Sequence, residues 1–242
     1  MERCLVMGIA NVTPDSFSDG GELSRPEDAV RRILEMQTQG ADIIDIGAES
    51  TRPGATPVSA AEERERLEPV FAALPRGLRI SIDTYRPETA RFALESGASI
   101  VNCVSAAPLA EMCALCLEYG AELVFPASAL EEFRALAVRG AAPERWYIDP
   151  MVGFGTTRDE DLALLRSTPT LARLGRTLVG ASRKRIAQKI AGVSSPRQTL
   201  WTDVGIAVWC ALNGASCVRV HDVAEVAGAL RAAWTLAGGK EL

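Results

Sequence analysis

Three polar side chains lie at the ends of apolar runs in this sequence. Asp83 ends the run RISID, Asn102 lies within SIVNCV, and Asp149 ends WYID. A carboxylate among apolar residues is costly to bury unless a partner donates hydrogen bonds to it, so these groups need such a partner. Carboxylates and an amide in a cleft suit a flat heterocycle that carries amino and ring N–H donors. The sequence therefore predicts a heterocycle site.

Basic residues in the last third of the chain predict a neighbouring anion site. Arg219 and His221 lie two residues apart, so they share one face of a strand and suit an anion at the rim of the cleft. Ser182-Arg183-Lys184 precedes a helical pattern. A helix N-terminus with a hydroxyl and an ammonium group attracts carboxylate or phosphate. The predicted ligand is a heterocycle with anionic groups at the mouth.

Other polar residues near these runs have a structural interpretation beside the functional one. Asp45, inside ADIIDIG, is either a site residue or a buried polar group with internal partners. Glu49 is either a site residue or the partner of a nearby basic residue, and Asp222 could cap the helix that follows it. Asp15 and Asp19 lie in TPDSFSDGG, where turn residues are common.

Short apolar runs alternate with longer amphipathic stretches from one end of the sequence to the other. Eight runs are too short for helices and rich in Val and Ile, so each is predicted to be a buried parallel strand: 4–11, 41–47, 79–83, 99–104, 122–127, 146–149, 177–182 and 216–222. Between them, apolar residues recur at i, i+3 and i+4, which is typical of amphipathic helices. The fifth helical stretch, 129–139, is the shortest.

Glycine and proline mark the predicted helix ends. A glycine stands between a helical pattern and the next apolar run at four places: Gly40, Gly97, Gly120 and Gly214. Glycine adopts the left-handed conformation without a Cβ penalty, so each of the four is predicted to end a helix. Pro26 and Pro87 fit the first turn of a helix, where a missing backbone N–H costs nothing.

The spacing of these units predicts the fold class. Eight strand–helix units correspond to about 30 residues each, which fits a single-domain (β/α)8 TIM barrel with its active site at the C-terminal ends of the strands. An open doubly wound sheet is the alternative, because periodicity does not distinguish a closed sheet from an open one. No linker rich in Gly, Ser or Pro divides the chain, so residues 1–242 are predicted to form one domain.

Composition narrows the class of protein. The chain carries 26 basic and 31 acidic side chains, a net charge of −5, without the clustered basic residues of a nucleic-acid surface. No apolar run is long enough to span a membrane, and the N-terminus reaches turn residues too early for a signal peptide, which predicts a soluble cytoplasmic protein. Six cysteines, including Cys113 and Cys116, lie in apolar stretches and are predicted to be buried thiols, not disulfides or metal ligands.

Seven sequence blocks, in order, resemble the dihydropteroate synthases, a family of pterin-binding enzymes. GIANVTPDSFSDGG (8–21) and GADIIDIGAESTRPGA (40–55) are similar to the first two signatures of the family. The other blocks that resemble it are SIDTYRPETA (81–90), the strand with Asn102, DPMVGFG (149–155), GASRK (180–184) and RVHD (219–222). The resemblance covers nearly the whole chain.

The resemblance implies an activity and a pterin site. It implies that the chain condenses 6-hydroxymethyl-7,8-dihydropterin diphosphate with p-aminobenzoate, releasing diphosphate and forming 7,8-dihydropteroate in folate biosynthesis. The implied pterin-binding residues are Asp83, Asn102, Asp149, Lys184 and Arg219. The diphosphate would lie on Asn11, Arg219 and His221, with Mg²⁺ beside Asn11.

The resemblance also implies a second substrate site and two closing loops. The residues implied to bind p-aminobenzoate are Phe17, Thr51, Arg52, Pro53, Phe154 and Ser182. Those implied to be catalytic are Asp19, Lys184, Arg219 and His221. The bond to diphosphate would break before the aniline nitrogen attacks, so stabilisation of the leaving group would matter most. Two further implications are a homodimer and inhibition by sulfonamides.

The sequence departs from the family pattern at several positions. Cys103 follows Asn102 where the family has Asp, Met151 and Thr156 replace common Gly and Lys, and the fifth strand lacks a Met-x-His element. Two other functions stay open: a pterin-dependent methyltransferase on the same fold, and a non-catalytic pterin-binding paralogue that acts as a regulatory subunit. The STRPG and SRK blocks disfavour the methyltransferase, which has no p-aminobenzoate to bind. The first two loops of the family pattern are intact, and a protein that only binds pterin would not need them.

Overall fold

The computed structural model of the chain describes residues 2–12, 25–49, 57–105, 107–137 and 145–239. Eight strands alternate with helices along these residues. The strands are β1 (Leu5–Asn11), β2 (Ile43–Gly47), β3 (Ile80–Asp83), β4 (Ile100–Asn102), β5 (Glu122–Pro126), β6 (Tyr147–Asp149), β7 (Arg176–Val179) and β8 (Cys217–Val220). Each predicted apolar run contains or overlaps one of them.

The eight strands close into a parallel barrel. They pair in sequence order from β1 to β8, and β8 pairs with β1 through the register Met7 to Arg219. The predicted eightfold barrel is therefore confirmed, and the doubly wound alternative is wrong. Parallel neighbours need a crossover connection, and helices on the outside of the barrel supply it.

The helices surround the barrel. Among the described residues they are α1 (Pro26–Thr38), α2 (Ala60–Ala73), α3 (Pro87–Glu95), α4 (Leu109–Tyr119), α5 (Leu130–Ala137), α6 (Arg158–Arg166), α7 (Thr168–Leu171), α8 (Arg185–Ala191), α9 (Leu200–Leu212) and α10 (Val223–Leu236). Short 3-10 turns precede α5 and α9, at Ala127–Ala129 and Pro196–Gln198. The fifth helix thus lies within the predicted stretch 129–139.

The predicted helix boundaries match the local backbone. Pro26 and Pro87 are the first residues of α1 and α3. The four predicted terminal glycines have φ angles of 103°, 106°, 63° and 95°, in the order Gly40, Gly97, Gly120 and Gly214. A side chain would strain the backbone in this region, so glycine allows the chain to turn from each helix into the next strand.

The apolar core has two layers. Inside the barrel, side chains from seven strands fill the space below the mouth: Met7, Ile43, Ile100, Val124, Tyr147, Leu178 and Cys217. A larger layer between the sheet and the helices holds the outward-facing strand residues and the inner faces of the helices. The filled interior gives the residues above it a rigid support.

The cysteines belong to this core. All six are buried with free thiols, and burial raises the pKa of Cys103 and Cys210 to about 11. Cys113 and Cys116 pack from α4 into the outer layer. The prediction that these residues are buried thiols is confirmed. None of the described helices is long and apolar enough to cross a membrane.

Candidate active site

Polar side chains meet at the C-terminal ends of five strands. Residues two apart on a strand point to the same side. Each of these side chains comes two residues after one that faces the barrel interior. The cluster consists of Asp45, Asp83, Asn102, Asp149 and Arg219. The sequence predicted four of these five residues as a ligand site, and the barrel brings them to one end.

Arg219 joins three strands of the cluster. Its Nε donates to Asp45 Oδ2 at 2.6 Å, and its Nη2 donates to Asp83 Oδ2 at 2.6 Å. The Arg219 side chain is 17% exposed, and that of Asp83 is 11% exposed. Two charge-assisted hydrogen bonds to different nitrogens fix the plane of the guanidinium. A flat ring can therefore stack on a cation that the protein already holds in place.

Asn102 is oriented by the same carboxylate. Its Nδ2 donates to Asp45 Oδ2 at 3.0 Å, which leaves its amide oxygen for another donor. That oxygen, Asp45 Oδ1 and Ser81 Oγ are buried without a hydrogen-bond partner among the described residues. Buried polar atoms are nearly always paired, so these atoms indicate a place where a ligand or water donates.

Lys184, in the turn between β7 and α8, lies against the loop after β6. Its Nζ donates to the carbonyl oxygen of Val152 at 2.5 Å and lies 4.4 Å from the centre of the Phe154 ring. A Cβ on Gly153 would lie 2.9 Å from Lys184 Cδ, so glycine is needed for this close approach. Asp149 Oδ1 accepts from the Met151 N–H at 2.7 Å, which holds the loop to the strand end.

Burial shifts the protonation of these groups. It raises the pKa of Asp83 to about 7, although the Arg219 guanidinium opposes the shift, and it raises the pKa of Asp149. Burial lowers the pKa of Lys184 to about 8, with the Asp149 carboxylate acting against it. Three carboxylates and two cations therefore share a poorly solvated site, which favours a ligand that donates hydrogen bonds and carries positive charge.

Ser182 and His221 form a second, adjoining group. The Ser182 hydroxyl lies 3.1 Å from His221 Nδ1 and accepts from the His221 N–H at 3.3 Å. Asp203, on α9, approaches the same hydroxyl at 3.5 Å and accepts from the Arg183 N–H at 3.0 Å. Thr199 Oγ1 also donates to Asp203, at 2.9 Å. The predicted carboxylate site at Ser182 thus has a buried protein carboxylate beside it.

Arg183 and Asp222 correct one prediction. Asp222 is the residue before α10, but its side chain makes no capping hydrogen bond. It pairs with Arg183 instead, accepting from Nη2 at 2.7 Å and from Nε at 3.3 Å. Arg183 has a φ of 59°, a strained conformation for a residue with a side chain. Contacts from Asp203 and Asp222 therefore hold this turn from two sides.

Asn11 ends β1 beside Gly47. A Cβ on Gly47 would lie 3.3 Å from Asp83 Cβ and 3.5 Å from Asn11 Oδ1, so the glycine leaves open space between the two side chains. Within the described residues, no group of three His, Cys, Asp or Glu side chains could hold a metal ion. Asn11 can therefore supply one oxygen to a cation that brings most of its ligands with it.

Five predicted site residues lie outside the described part of the chain: Phe17, Asp19, Thr51, Arg52 and Pro53. The residues on either side of Thr51, Arg52 and Pro53 are described. Glu49 forms an ion pair with Arg86, whose Nη2 donates to the Val58 carbonyl. The interpretation of Glu49 as the partner of a basic residue is thus confirmed.

Sequence reasoning missed part of the site. The sequence left two interpretations of Asp45, a site residue or a buried polar group with internal partners. In the structure it contacts both Arg219 and Asn102. The argument applied to Asp83, that an acid inside an apolar strand needs a partner, would have found it. Asp203 had no such signal, because an acid in the first turn of a helix is usually a capping or solvated residue.

A separate cavity lies at the other end of the barrel. It has a volume of about 350 Å³ and is bounded by residues before β1 and by the C-terminal halves of α9 and α10, including Cys4, Leu230 and Trp234. No member of the polar cluster lines it. The mouth, where the charged groups meet, is therefore the candidate active site.

Sequence comparison places the chain among known proteins. The sequence model of the pterin binding enzymes matches residues 7–139 and 127–221. The dihydropteroate synthase of Synechocystis sp. is 39% identical over 253 residues, which covers 93% of this chain and 88% of the relative.

Solved structures agree with the sequence match. The dihydropteroate synthase of Xanthomonas albilineans with 4-aminobenzoic acid superposes with a TM-score of 0.91 at 35% identity, over 99% of this chain and 95% of the other. The same protein in complex with 7,8-dihydropteroate gives 0.88 at 33% identity, with the same coverage. That of Yersinia pestis in a sulfonamide drug complex gives 0.88 at 30% identity, over 98% and 95% of the chains.

Proposed function

This chain belongs to the pterin binding enzyme family as a dihydropteroate synthase, and from that premise we propose how its own residues divide the reaction. The enzyme is a transferase that condenses 6-hydroxymethyl-7,8-dihydropterin diphosphate with p-aminobenzoate, releasing diphosphate, in folate biosynthesis. The observation that carries the assignment of roles is the cluster of Asp45, Asp83, Asn102 and Arg219, which leaves acceptor atoms unpaired at the barrel mouth.

The pterin ring binds in this cluster. Asp83 and the free oxygen of Asn102 accept hydrogen bonds from its amino and ring N–H groups, and Asp149 accepts from the opposite side. Arg219 stacks on one face of the ring, in the plane fixed by its two carboxylate contacts. Lys184 donates to the remaining acceptor atoms of the heterocycle. The nearby Phe154 ring and Val152 carbonyl hold its ammonium group in position.

The diphosphate binds at the rim. Arg219 and His221 hold its oxygens, and Asn11 reaches it from the end of β1. Mg²⁺ would be held by Asn11 and the diphosphate oxygens, a hard oxygen donor set that this cation prefers. When bound, the ion would supply charge neutralisation for the departing diphosphate.

p-Aminobenzoate binds over the pterin. Ser182 receives its carboxylate at the turn before α8, and Phe154 lines the ring. We assign Thr51, Arg52 and Pro53, with Phe17 and Asp19, to the same substrate, because the first two signatures of the family carry them. Burial of the two substrates against each other places the aniline nitrogen next to the reacting carbon, which favours the reaction by orientation.

The charges of the site suit a transition state in which the pterin becomes cationic. Asp83 and Asp149, when ionised, stabilise positive charge that spreads into the ring after the bond to diphosphate breaks. Arg219 and His221 stabilise the negative charge of the leaving group at the same moment. The aniline nitrogen needs no strong base, so Lys184 and Asp19 contribute mainly by position and charge.

Three further proposals concern partners and location. Sulfonamides, which a Yersinia pestis relative binds, would occupy the p-aminobenzoate site. A homodimer would form through α9, where Trp201 is 74% exposed and Trp209 and Leu212 are exposed beside it. The six free thiols fit a reducing compartment, so we expect the enzyme to act in the cytoplasm.

One experiment tests the assignment of roles. Purified protein is given the pterin diphosphate and Mg²⁺, with p-aminobenzoate present or omitted, and diphosphate release is measured. Release should depend on p-aminobenzoate and fall at least about 100-fold in Lys184→Ala, because the variant loses a charge-assisted contact to the pterin. Lys189→Ala, which removes an exposed lysine paired with Asp159, is the control. Equal rates in both variants would overturn the role of Lys184.

A further inference from the structure

Asp45 is a buried carboxylate that accepts hydrogen bonds from two other residues of the polar cluster. It is fully buried, and its Oδ2 accepts from both Arg219 Nε at 2.6 Å and Asn102 Nδ2 at 3.0 Å. Asn102 and Arg219 come from β4 and β8, so one oxygen connects two strands that are not neighbours in the barrel. The alternation along β2 explains its position, since Asp45 lies two residues beyond Ile43 of the interior core.

The contact with Asn102 has a chemical consequence. An amide has a donor end and an acceptor end, and the two have nearly the same shape. A carboxylate accepts only, so Asn102 must turn its NH2 group towards Asp45. Its oxygen is then the atom left over, and that oxygen is buried without a partner among the described residues.

We propose that Asp45 is a positioning residue that sets Asn102 as a hydrogen-bond acceptor and thereby makes the pocket specific for a ring edge that carries N–H donors. The inference rests on the proposed pterin site and deepens it. Without Asp45, the Asn102 amide could present either end, and its donor end would repel the N–H edge of an aminopyrimidinone. Asp45 acts on the pterin through the contacts of its Oδ2 with Asn102 and Arg219.

The proposal separates two properties of Asp45, its acceptor oxygen and its charge. Asp45→Asn keeps an oxygen that can accept from Arg219 and Asn102, while it removes the charge. Asp45→Leu removes both in a side chain of similar size. If orientation matters, Asp45→Asn should bind the pterin diphosphate within about fivefold of the unmodified protein, whereas Asp45→Leu should bind it between about tenfold and about 100-fold more weakly.

An exchange of the two side chains tests the idea when Asp45→Leu fails to fold. Asn102→Asp alone sets two carboxylates against each other and should weaken binding of the pterin diphosphate by about 100-fold. Adding Asp45→Asn restores the pair with donor and acceptor exchanged, and one oxygen at position 102 again faces the ligand. Binding should then recover to within about tenfold.

The experiment measures the Kd of 6-hydroxymethyl-7,8-dihydropterin diphosphate without p-aminobenzoate, the KM of p-aminobenzoate, and the Tm of each variant. Recovery in the exchanged double variant, with an unchanged KM for p-aminobenzoate, supports the proposal. Asp42→Asn is the matched control, since Asp42 pairs with Arg3 before β2 at the opposite end of the barrel. It should leave the Kd unchanged.

Either of two results would overturn the proposal while leaving the proposed function intact. If the exchanged double variant binds no better than Asn102→Asp, or if Asp45→Leu folds and binds normally, Asp45 does not set the orientation of Asn102. If Asn102→Asp itself binds normally, Asn102 is not a pterin ligand, and the proposed site fails together with this inference. If the unmodified protein does not bind the pterin diphosphate, the proposed function is rejected and this inference with it.

Discussion

Asp83 and Lys184 carry the two titrations that matter most at the mouth. Their pKa values of about 7 and about 8 converge because burial penalises the charged form of each, which raises an acid and lowers a base. Between these values, Asp83 is largely ionised while Lys184 is largely protonated. That combination gives the pterin site an acceptor and a donor together.

Pterin binding should therefore depend on pH with an optimum between pH 7 and pH 8. Affinity should rise as pH increases through 7, when Asp83 loses its proton, and fall above 8, when Lys184 loses its own. Titration of the Kd for the pterin diphosphate from about pH 6 to about pH 9 measures both limbs. In Asp83→Asn the rise near pH 7 should disappear, and its persistence would assign the titration to another group.

The same shift has a consequence for stability. Asp83 holds its proton in the folded ligand-free protein up to about pH 7, whereas the unfolded chain releases it near the ordinary value of 3.8. The folded state binds more protons over this range, so this group's contribution to the free energy of unfolding falls as pH rises from about 4 to about 7. Ligand binding should offset part of that loss.

At the scale of elements, Asp203 connects α9 to the turn before α8. Its buried carboxylate holds the Arg183 N–H and lies next to Ser182, while burial raises its pKa. The turn contains Arg183 in a strained conformation, so it depends on contacts from outside its own segment. The helix that supplies Asp203 also presents the exposed Trp201 and Trp209.

We expect Asp203→Ala to raise the KM of p-aminobenzoate by about tenfold, because Ser182 and Arg183 lose the acceptor that positions them. The KM of the pterin diphosphate should change less. Asp203→Asn keeps an acceptor oxygen at the Arg183 N–H and serves as the matched variant, with a KM near that of the unmodified enzyme. Steady-state kinetics with each substrate varied in turn gives the comparison. An equal rise in both KM values would indicate a general structural defect.

A second network joins β2, α2 and α3. Arg86 pairs with Glu49 and lies 3.3 Å from Glu63, which is 1% exposed and also accepts from Thr89 Oγ1 at 2.6 Å. Arg86 also donates to the Val58 carbonyl, so it contacts residues on both sides of positions 50–56. A cation between two carboxylates of low exposure is difficult to remove without leaving a buried charge.

Arg86→Leu should lower the free energy of unfolding by about 3–5 kcal/mol, because Glu63 and Glu49 lose their compensating charge. Chemical denaturation measures the change. Arg91→Leu is the control, since Arg91 and Glu118 form an exposed pair on α3 and α4 and its loss should cost about 1 kcal/mol or less. If Arg86→Leu also lowers the free energy of unfolding by only about 1 kcal/mol or less, the buried network adds little to stability.

At the scale of the whole molecule, the barrel mouth, the barrel interior and the outer surface differ in polarity. The mouth carries the polar cluster, while the interior below it is filled with apolar side chains that support the strand ends. Outside the barrel, α9 carries a strip of exposed apolar residues that includes Trp201, Trp209 and Leu212. Large exposed aromatic residues in such a strip are typical of a surface that another chain covers.

The proposed homodimer predicts that Trp201→Glu weakens self-association by at least about 30-fold, because a charge would be buried in the contact. Light scattering coupled to size-exclusion chromatography gives the mass at micromolar concentration. Leu117→Glu, which changes an exposed leucine on α4, is the control and should leave the mass unchanged. A monomeric unmodified protein, or a dimer that survives Trp201→Glu, would place any interface elsewhere.

The sequence by itself predicted the eight strand–helix units and four residues of the polar cluster. Eight apolar runs, each overlapping one strand, and glycines with left-handed φ angles at four helix ends follow from local rules of backbone and burial. Asp83, Asn102 and Asp149 were found for a local reason too, since each is a polar residue at the end of an apolar strand. The blocks that resemble the family supplied the substrates.

Only the tertiary structure decided how the polar residues pair. Arg219 and Asp45 are 174 residues apart, and Asn102 and Asp45 are 57 apart. Closing the barrel brings these residues together, and no local pattern specifies which of several acids a buried guanidinium will choose. The choice follows from register and from the low polarity of the interior, which makes each unpaired charge costly. Asp222, for which a capping role was one interpretation, pairs with Arg183, and the barrel brings these two residues together across 39 positions of the sequence.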